Sequence, residues 1–221
     1  MEFVVIETLS TLRLNAVNLS VHEAKLYDTT ISNTTQMTLD VLPSSDLIGL
    51  TAQFNVGQTY ITIINYEGQL RTEKNGFYYV AYPGENGQQK SLIATVFEPN
   101  YARQMLPCLD DLHFKAQFSL SVIAPKELTV FFNTMEMSVE HDESNQLIVF
   151  ETTPPMSTYL LALVIGEYRT TIVRAASTVE QSRYLQRAAE IGAQSVDLME
   201  QITGLSFSMK KLGLSIELTG I

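Results

Sequence analysis

The chain has 221 residues, 45% of them hydrophobic, enough to bury the core of one large β-rich domain or two small ones. Its formal charge is −10 with only 14 lysines and arginines, a balance that argues against gripping a nucleic-acid backbone. A single cysteine excludes an internal disulfide, and no apolar run reaches the roughly 18 residues of a membrane-spanning helix.

Met1 leads straight into "EFVVIETL", without the basic start and small-residue cleavage site of a signal peptide. The default expectation is therefore a cytoplasmic chain, or an extracellular or membrane-anchored one if a longer parent carries a signal or anchor. "NLS" at Asn18 and "NTT" at Asn33 fit the glycosylation acceptor pattern, which short sequences match easily by chance. From Met1 to about Arg174 the texture is β. "LRLNAV", "QMTLDVL", "TYITIINY", "FYYVAY" and "FSLSVIA" are short runs rich in Val, Ile, Thr, Tyr and Phe, several of them alternating apolar and polar. Turn signals separate them: "NGF" at Asn75, "PGENG" from Pro83 and "HDESN" from His141. Strands that recur without intervening helices predict an antiparallel β-sandwich.

The texture changes at Ser177. "STVE" reads as a capping box, with Glu180 reaching back toward the Ser177 end. Leu185, Ala188, Ala189, Gly192, Val196, Met199 and Ile202 then recur at helical spacing, and Gly204 is a natural stop. A strand, "LGLSIEL", follows. One helix and one strand make no core of their own, so this tail reads as the start of an incomplete α/β domain.

Candidate chemistry concentrates in "FEPNYARQMLPCLDDLHFKAQF", residues 97–118. His22, His113 and His141 are scattered, and no pair has a zinc-ligand spacing. "HEAKL" at His22 falls in a strand-like run, where four residues span roughly 13 Å, too far for one metal; a solvated strand histidine is expected. Cys108 lacks a histidine signalled to orient against it, and a buried, inert thiol is expected. Asp110 and Asp111 are adjacent, so in extended backbone they point to opposite faces; capping or turn-binding carboxylates are expected rather than an acid–base pair.

The same stretch resembles the N-terminal β domain of the aminopeptidase N family of zinc metallopeptidases, whose pattern runs roughly T-Q-F-E-P-x-x-A-R-x-x-F-P-C-F-D-E-P-x-x-K-A-x-F. The matches are Thr95, Phe97, Glu98, Pro99, Ala102, Arg103, Pro107, Cys108, Asp110, Lys115, Ala116 and Phe118. "GFYYVAY" at Gly76 and "MSTYLLALVIGEY" at Met156 resemble two further blocks of the family in the same order. The resemblance implies a mainly β, saddle-like antiparallel sandwich over residues 1–170 that lacks its first strands. Residues 171–221 would then be the truncated start of a thermolysin-like catalytic domain.

The resemblance also implies a role for Glu98. In the family, the glutamine and glutamate of T-Q-F-E-P help hold the free α-ammonium of the peptide being trimmed. Glu98 stands at the glutamate position, while Val96 replaces the glutamine and accepts no hydrogen bond. "PCLDDL" departs from the family at Leu109, Asp111 and Leu112. "KKLGLSIELTGI" is similar to the strand before the G-x-M-E-N loop. That loop and the H-E-x-x-H zinc helix are expected to lie beyond this chain, so catalytic and metal residues are expected to be none. The family uses zinc; no cofactor is expected here. The expected product is a truncated, non-catalytic protein that at most binds peptide N-termini or a protein partner, and that self-associates through cut surfaces. The alternative is a piece of an active zinc aminopeptidase whose zinc site lies elsewhere.

Overall fold

The computed structural model describes residues 1–29, 33–36, 38–42, 46–84, 87–170, 175–177, 185–206 and 214–216. Its first seven strands are β1 (Glu2–Val4), β2 (Thr11–Asn15), β3 (Leu19–Asp28), β4 (Asn33–Gln36), β5 (Thr38–Leu42), β6 (Leu47–Thr51) and β7 (Thr59–Gly68). They form two antiparallel sheets with strand orders β1-β7-β3-β4 and β2-β6-β5. Alternation explains how the sheets face each other. Leu12 and Leu14 on β2, with Ile48 and Leu50 on β6, pack against Ala24 and Leu26 on β3 and Tyr60 on β7. Each apolar strand face thus finds an apolar partner, as in a sandwich. Phe54 caps this core edge-on to Tyr60, with ring centroids 5.5 Å apart.

A second sandwich follows. Its strands are β8 (Gly76–Pro83), β9 (Gln89–Val96), β10 (Lys115–Ala116), β11 (Ser121–Pro125), β12 (Thr129–Phe132), β13 (Glu136–His141), β14 (Asn145–Phe150), β15 (Met156–Ser157) and β16 (Leu163–Gly166). The sheet β12-β16-β9-β8 faces the sheet β11-β14-β13 across Val130, Phe132, Leu163 and Ile165 on one side and Ala124, Ile148 and Phe150 on the other. The short pair β10-β15 lies apart. Two of the three turn signals join paired antiparallel strands. Gly84 N–H donates to the Gln88 carbonyl between β8 and β9, and Asp142 takes the Ser144 and Asn145 N–H groups between β13 and β14.

The tail contains β17 (Arg169–Thr170), β18 (Ala175–Ser177), the helix α1 (Leu185–Thr203) and β19 (Leu214–Ile216). β19 runs parallel to β18, the arrangement a helix crossover produces. Ser177 closes a strand, and residues 178–184, where the helix start was expected, lie outside the described residues. The stop is as expected: Gly204 adopts φ +68° and its N–H donates to the Glu200 carbonyl, a left-handed helix end. The predicted apolar stripe divides along its length. Ala189 and Gly192 are buried, whereas Met199 and Ile202 are exposed.

Candidate functional site: the segment joining the two sandwiches

The crowded segment begins where β9 ends. Thr95 fixes that end, because its hydroxyl oxygen accepts the Leu163 N–H at 2.9 Å. Val96, Phe97 and Glu98 then alternate outward, inward, outward. Phe97 is buried, while Val96 and Glu98 are exposed on either side of it. Phe97 packs with Ala102 and Cys108 in a small core of its own, flanked by Tyr101, Tyr159 and Leu161. Burying such a ring stabilises by roughly 1.5–3 kcal/mol. The anchor holds the exposed pair in register.

Glu98 and Pro99 are joined by a cis peptide bond, and Tyr101 N–H returns to the Phe97 carbonyl at 2.8 Å. The chain thus reverses at once, leaving Glu98, Pro99 and Asn100 on the surface. Among the described residues Glu98 makes no hydrogen bond or ion pair. An exposed carboxylate in that state has all its acceptor sites open to a cation carrying several N–H groups. Val96 beside it offers only apolar surface.

Beyond a short 3-10 turn, Ala102–Gln104, the segment becomes structural. Asp110 is almost fully buried and every contact it makes ties two parts of the chain together. Its Oδ2 accepts Arg103 Nε at 2.9 Å and Arg103 N at 3.2 Å. Its Oδ1 accepts the Thr158 hydroxyl at 2.7 Å, and its N–H donates to Asn15 Oδ1. Cys108 and Asn15 exchange both backbone hydrogen bonds, at 2.8 and 3.1 Å, and Val17 N–H donates to the Arg103 carbonyl. Residues 103–110 therefore clip the first sandwich to the second. Sequence reasoning treated Arg103 and Asp110 separately; a seven-residue spacing with opposite charge was the one signal of their pairing.

The remaining candidates fall as their chemistry dictates. Cys108 is buried, and its thiol is pushed up to about 12, first by burial and then by the Asp110 charge, against the opposing pull of Arg103. It is a packing group, not a nucleophile. Asp111 is exposed and turns back on His113, accepting its N–H at 3.0 Å and lying 2.7 Å from Nδ1. Those contacts, the backbone one foremost, hold its carboxyl below the usual range. Asp110 and Asp111 thus point apart, as adjacency predicted. His22 is the extra residue where the β3–β7 register shifts between Val21 and Glu23, half exposed and 3.6 Å from Glu67. Among the described residues, no group of three His, Cys, Asp or Glu side chains could hold a metal ion. The described donor set does not fit a catalytic zinc, which requires three converging protein ligands.

Comparison with known proteins agrees with this architecture. The family model described as the peptidase M1 N-terminal domain matches residues 1–160. "Aminopeptidase 2" of Candida albicans is 28% identical over 221 aligned positions, covering 96% of this chain and 24% of that protein. "Aminopeptidase N" of Acetobacter pasteurianus is 36% identical over 139 positions, 58% of this chain and 39% of that protein. Human "Endoplasmic reticulum aminopeptidase 1" is 32% identical over 180 positions, 79% of this chain and 19% of that protein. The chain spans well under half the length of each of these relatives.

Proposed function

Because the chain belongs to the family of the peptidase M1 N-terminal domain, we propose that it is a non-catalytic, aminopeptidase-like protein that binds the free N-terminus of a peptide through Glu98. Residues 1–170 form the β domain and residues 171–221 the start of a thermolysin-like catalytic domain. The observation that carries the reading is the placement of Glu98: an exposed carboxylate without a partner among the described residues, beside the buried anchor Phe97. A peptide α-ammonium supplies the cation and the N–H donors that such a carboxylate accepts. Val96 at the neighbouring position contributes no acceptor, so the grip rests on one charged contact. Losing a hydrogen bond to a charged group costs about 1.5–3 kcal/mol, roughly ten- to a hundredfold in affinity.

No hydrolytic step is assigned to these residues, since the described donor set does not fit zinc. Titration of the chain with a short peptide bearing a free N-terminus tests the reading. Binding is expected to weaken at least tenfold on N-acetylation of the peptide or in Glu98→Gln. Equal binding of free and acetylated peptide would exclude amine recognition.

A second reading is a segment of an active zinc aminopeptidase. What favours it is the match to the Candida protein, which runs over 96% of the chain rather than the β domain alone. Metal analysis and aminoacyl reporter substrates separate the two. The first reading expects less than one zinc per chain and no amino acid released. One tightly bound zinc with chelator-sensitive turnover supports the second.

A further inference from the structure

The second sandwich ends on an unused pairing surface. β13 is hydrogen-bonded to β14 and, among the described residues, to no strand on its other side. All of its residues are exposed, so the outer row of backbone N–H and C=O groups meets water. Such an edge is a template for a further strand. The register shifts between Glu136 and Ser138, with Met137 as the extra residue. The uninterrupted template is therefore Ser138–His141.

Charge decides what can add to it. From Ser119 to Thr152 the chain has six carboxylates and a single lysine, Lys126, and the Lys126 ammonium is turned to the Glu143 carbonyl at the hairpin turn. Glu136 and Glu140 lie on β13 itself, exposed and without an ion pair among the described residues. Opposite charges across a strand pair stabilise it and like charges destabilise it. A second copy of β13 would add its own carboxylates to the same edge, and a chain of charge −10 resists a second copy from further away. A cationic strand meets neither obstacle. Alternation narrows the choice further. Val139 pairs with Ile148, a residue of the sandwich core, whereas Glu140 pairs with Leu147 on the outer face. An incoming strand thus meets an apolar side chain on one face and a carboxylate on the other, with the period of two that a strand supplies.

We propose that β13 is a docking edge for an extended segment of another protein in which cationic and apolar residues alternate, added to the sheet as a strand beside Ser138–His141. Glu98 has no part in it.

The probe is the peptide acetyl-Lys-Val-Lys-Val-Lys-Val-amide, whose blocked N-terminus removes any amine for Glu98. It is titrated into the full 221-residue chain and followed by backbone amide resonances. Saturable shifts are expected at residues 136–141 and in the facing residues of β14. The same peptide with glutamate in place of lysine is expected to bind at least tenfold more weakly. So is a version methylated at alternate backbone nitrogens, which keeps its charge but cannot form the ladder. Glu140→Lys, an exposed change, is expected to weaken binding several-fold. Binding is also expected to weaken as sodium chloride rises, because the attraction between the charges is screened. Equal binding of the methylated peptide would reduce the contact to diffuse attraction and overturn the proposal. Shifts centred on residues 96–101 or on α1, no saturable shift at millimolar peptide, or binding indifferent to the peptide's charge would overturn it too. Shifts at 136–141 that follow protein concentration without peptide would give the edge to a second copy instead.

Discussion

Asp110 shows how one buried charge organises this protein. Its carboxylate is nearly inaccessible and Arg103 is largely buried beside it, so the pair has lost most of its hydration and depends on its mutual contacts. Asp110→Ala leaves the guanidinium without its counter-charge and also strands the Thr158 hydroxyl. A loss of about 3–5 kcal/mol is expected in urea unfolding. The double variant Arg103→Ala, Asp110→Ala is expected to cost clearly less than the sum of the two single changes. Cys108 supplies a second test. Its thiol is raised to about 12 in the fold from an ordinary 9.0, so the folded state holds the proton more tightly than the unfolded chain. The stabilisation is fully present below pH 9 and is lost as pH rises toward 12, by at most about 1.4 kcal/mol per pH unit. Cys108→Ala is expected to flatten that part of the alkaline stability profile. In the native wild-type protein, thiol labelling is expected to be slow until denaturant is added.

At the scale of elements, much was legible in the sequence and some could not be. Several strand runs were readable because apolar and polar residues alternate along them, and the hairpin turns because Asp142 and the glycines near Pro83 do chemistry only a turn needs. Asp142 carries that into a pH effect: the Asn145 and Ser144 N–H groups hold its carboxyl below its ordinary 3.8. The turn's contribution is therefore present above that value and is lost as pH falls through the lowered one. The pairing of strands into two sandwiches was not legible, because alternation fixes which face is buried but not which strand lies opposite. Nor was the joint. The Asn15–Cys108 exchange spans over ninety residues, and no local pattern encodes so distant a contact. The exposed position of Glu98 was readable from its neighbours, which suggest a surface charge; only its role toward a peptide amine depends on the resemblance to a known motif. Gly76, which opens β8, gives the element-scale prediction. It adopts φ +70°, and a Cβ there would collide with the Gln104 amide. Gly76→Ala is expected to cost at least about 1–2 kcal/mol from the left-handed backbone alone. Its thermal unfolding is expected at a lower temperature than that of an Ala substitution at Gly87, where φ is also positive but nothing lies within 4 Å.

At the scale of the whole molecule, opposing terms decide whether copies of the chain stay apart. The far half of α1 exposes Leu198, Met199 and Ile202, followed by Leu205, with Ile191 exposed about two to three turns before them. In the second sandwich every residue of the edge strand β13 is exposed, Met137 and Val139 among them. An apolar helix face and an open strand edge both favour association, the first by removing apolar surface from water and the second by offering unpaired backbone groups. Against them stands a charge of −10, repelling any second copy. That repulsion acts over a Debye length of about 8 Å at physiological salt and about 3 Å at 1 M, whereas hydrophobic contact is not weakened by added sodium chloride. Self-association is therefore expected to grow as salt rises. Sedimentation velocity at low and high sodium chloride measures it, and Leu198→Lys with Ile202→Glu, a charge-neutral pair on the exposed helix face, is expected to abolish most of the increase. Should that double variant associate as readily as the parent while Met137→Lys on β13 does not, the contact lies at the strand edge. A monomer at both salt concentrations would show that neither surface is sufficient to bring two copies together.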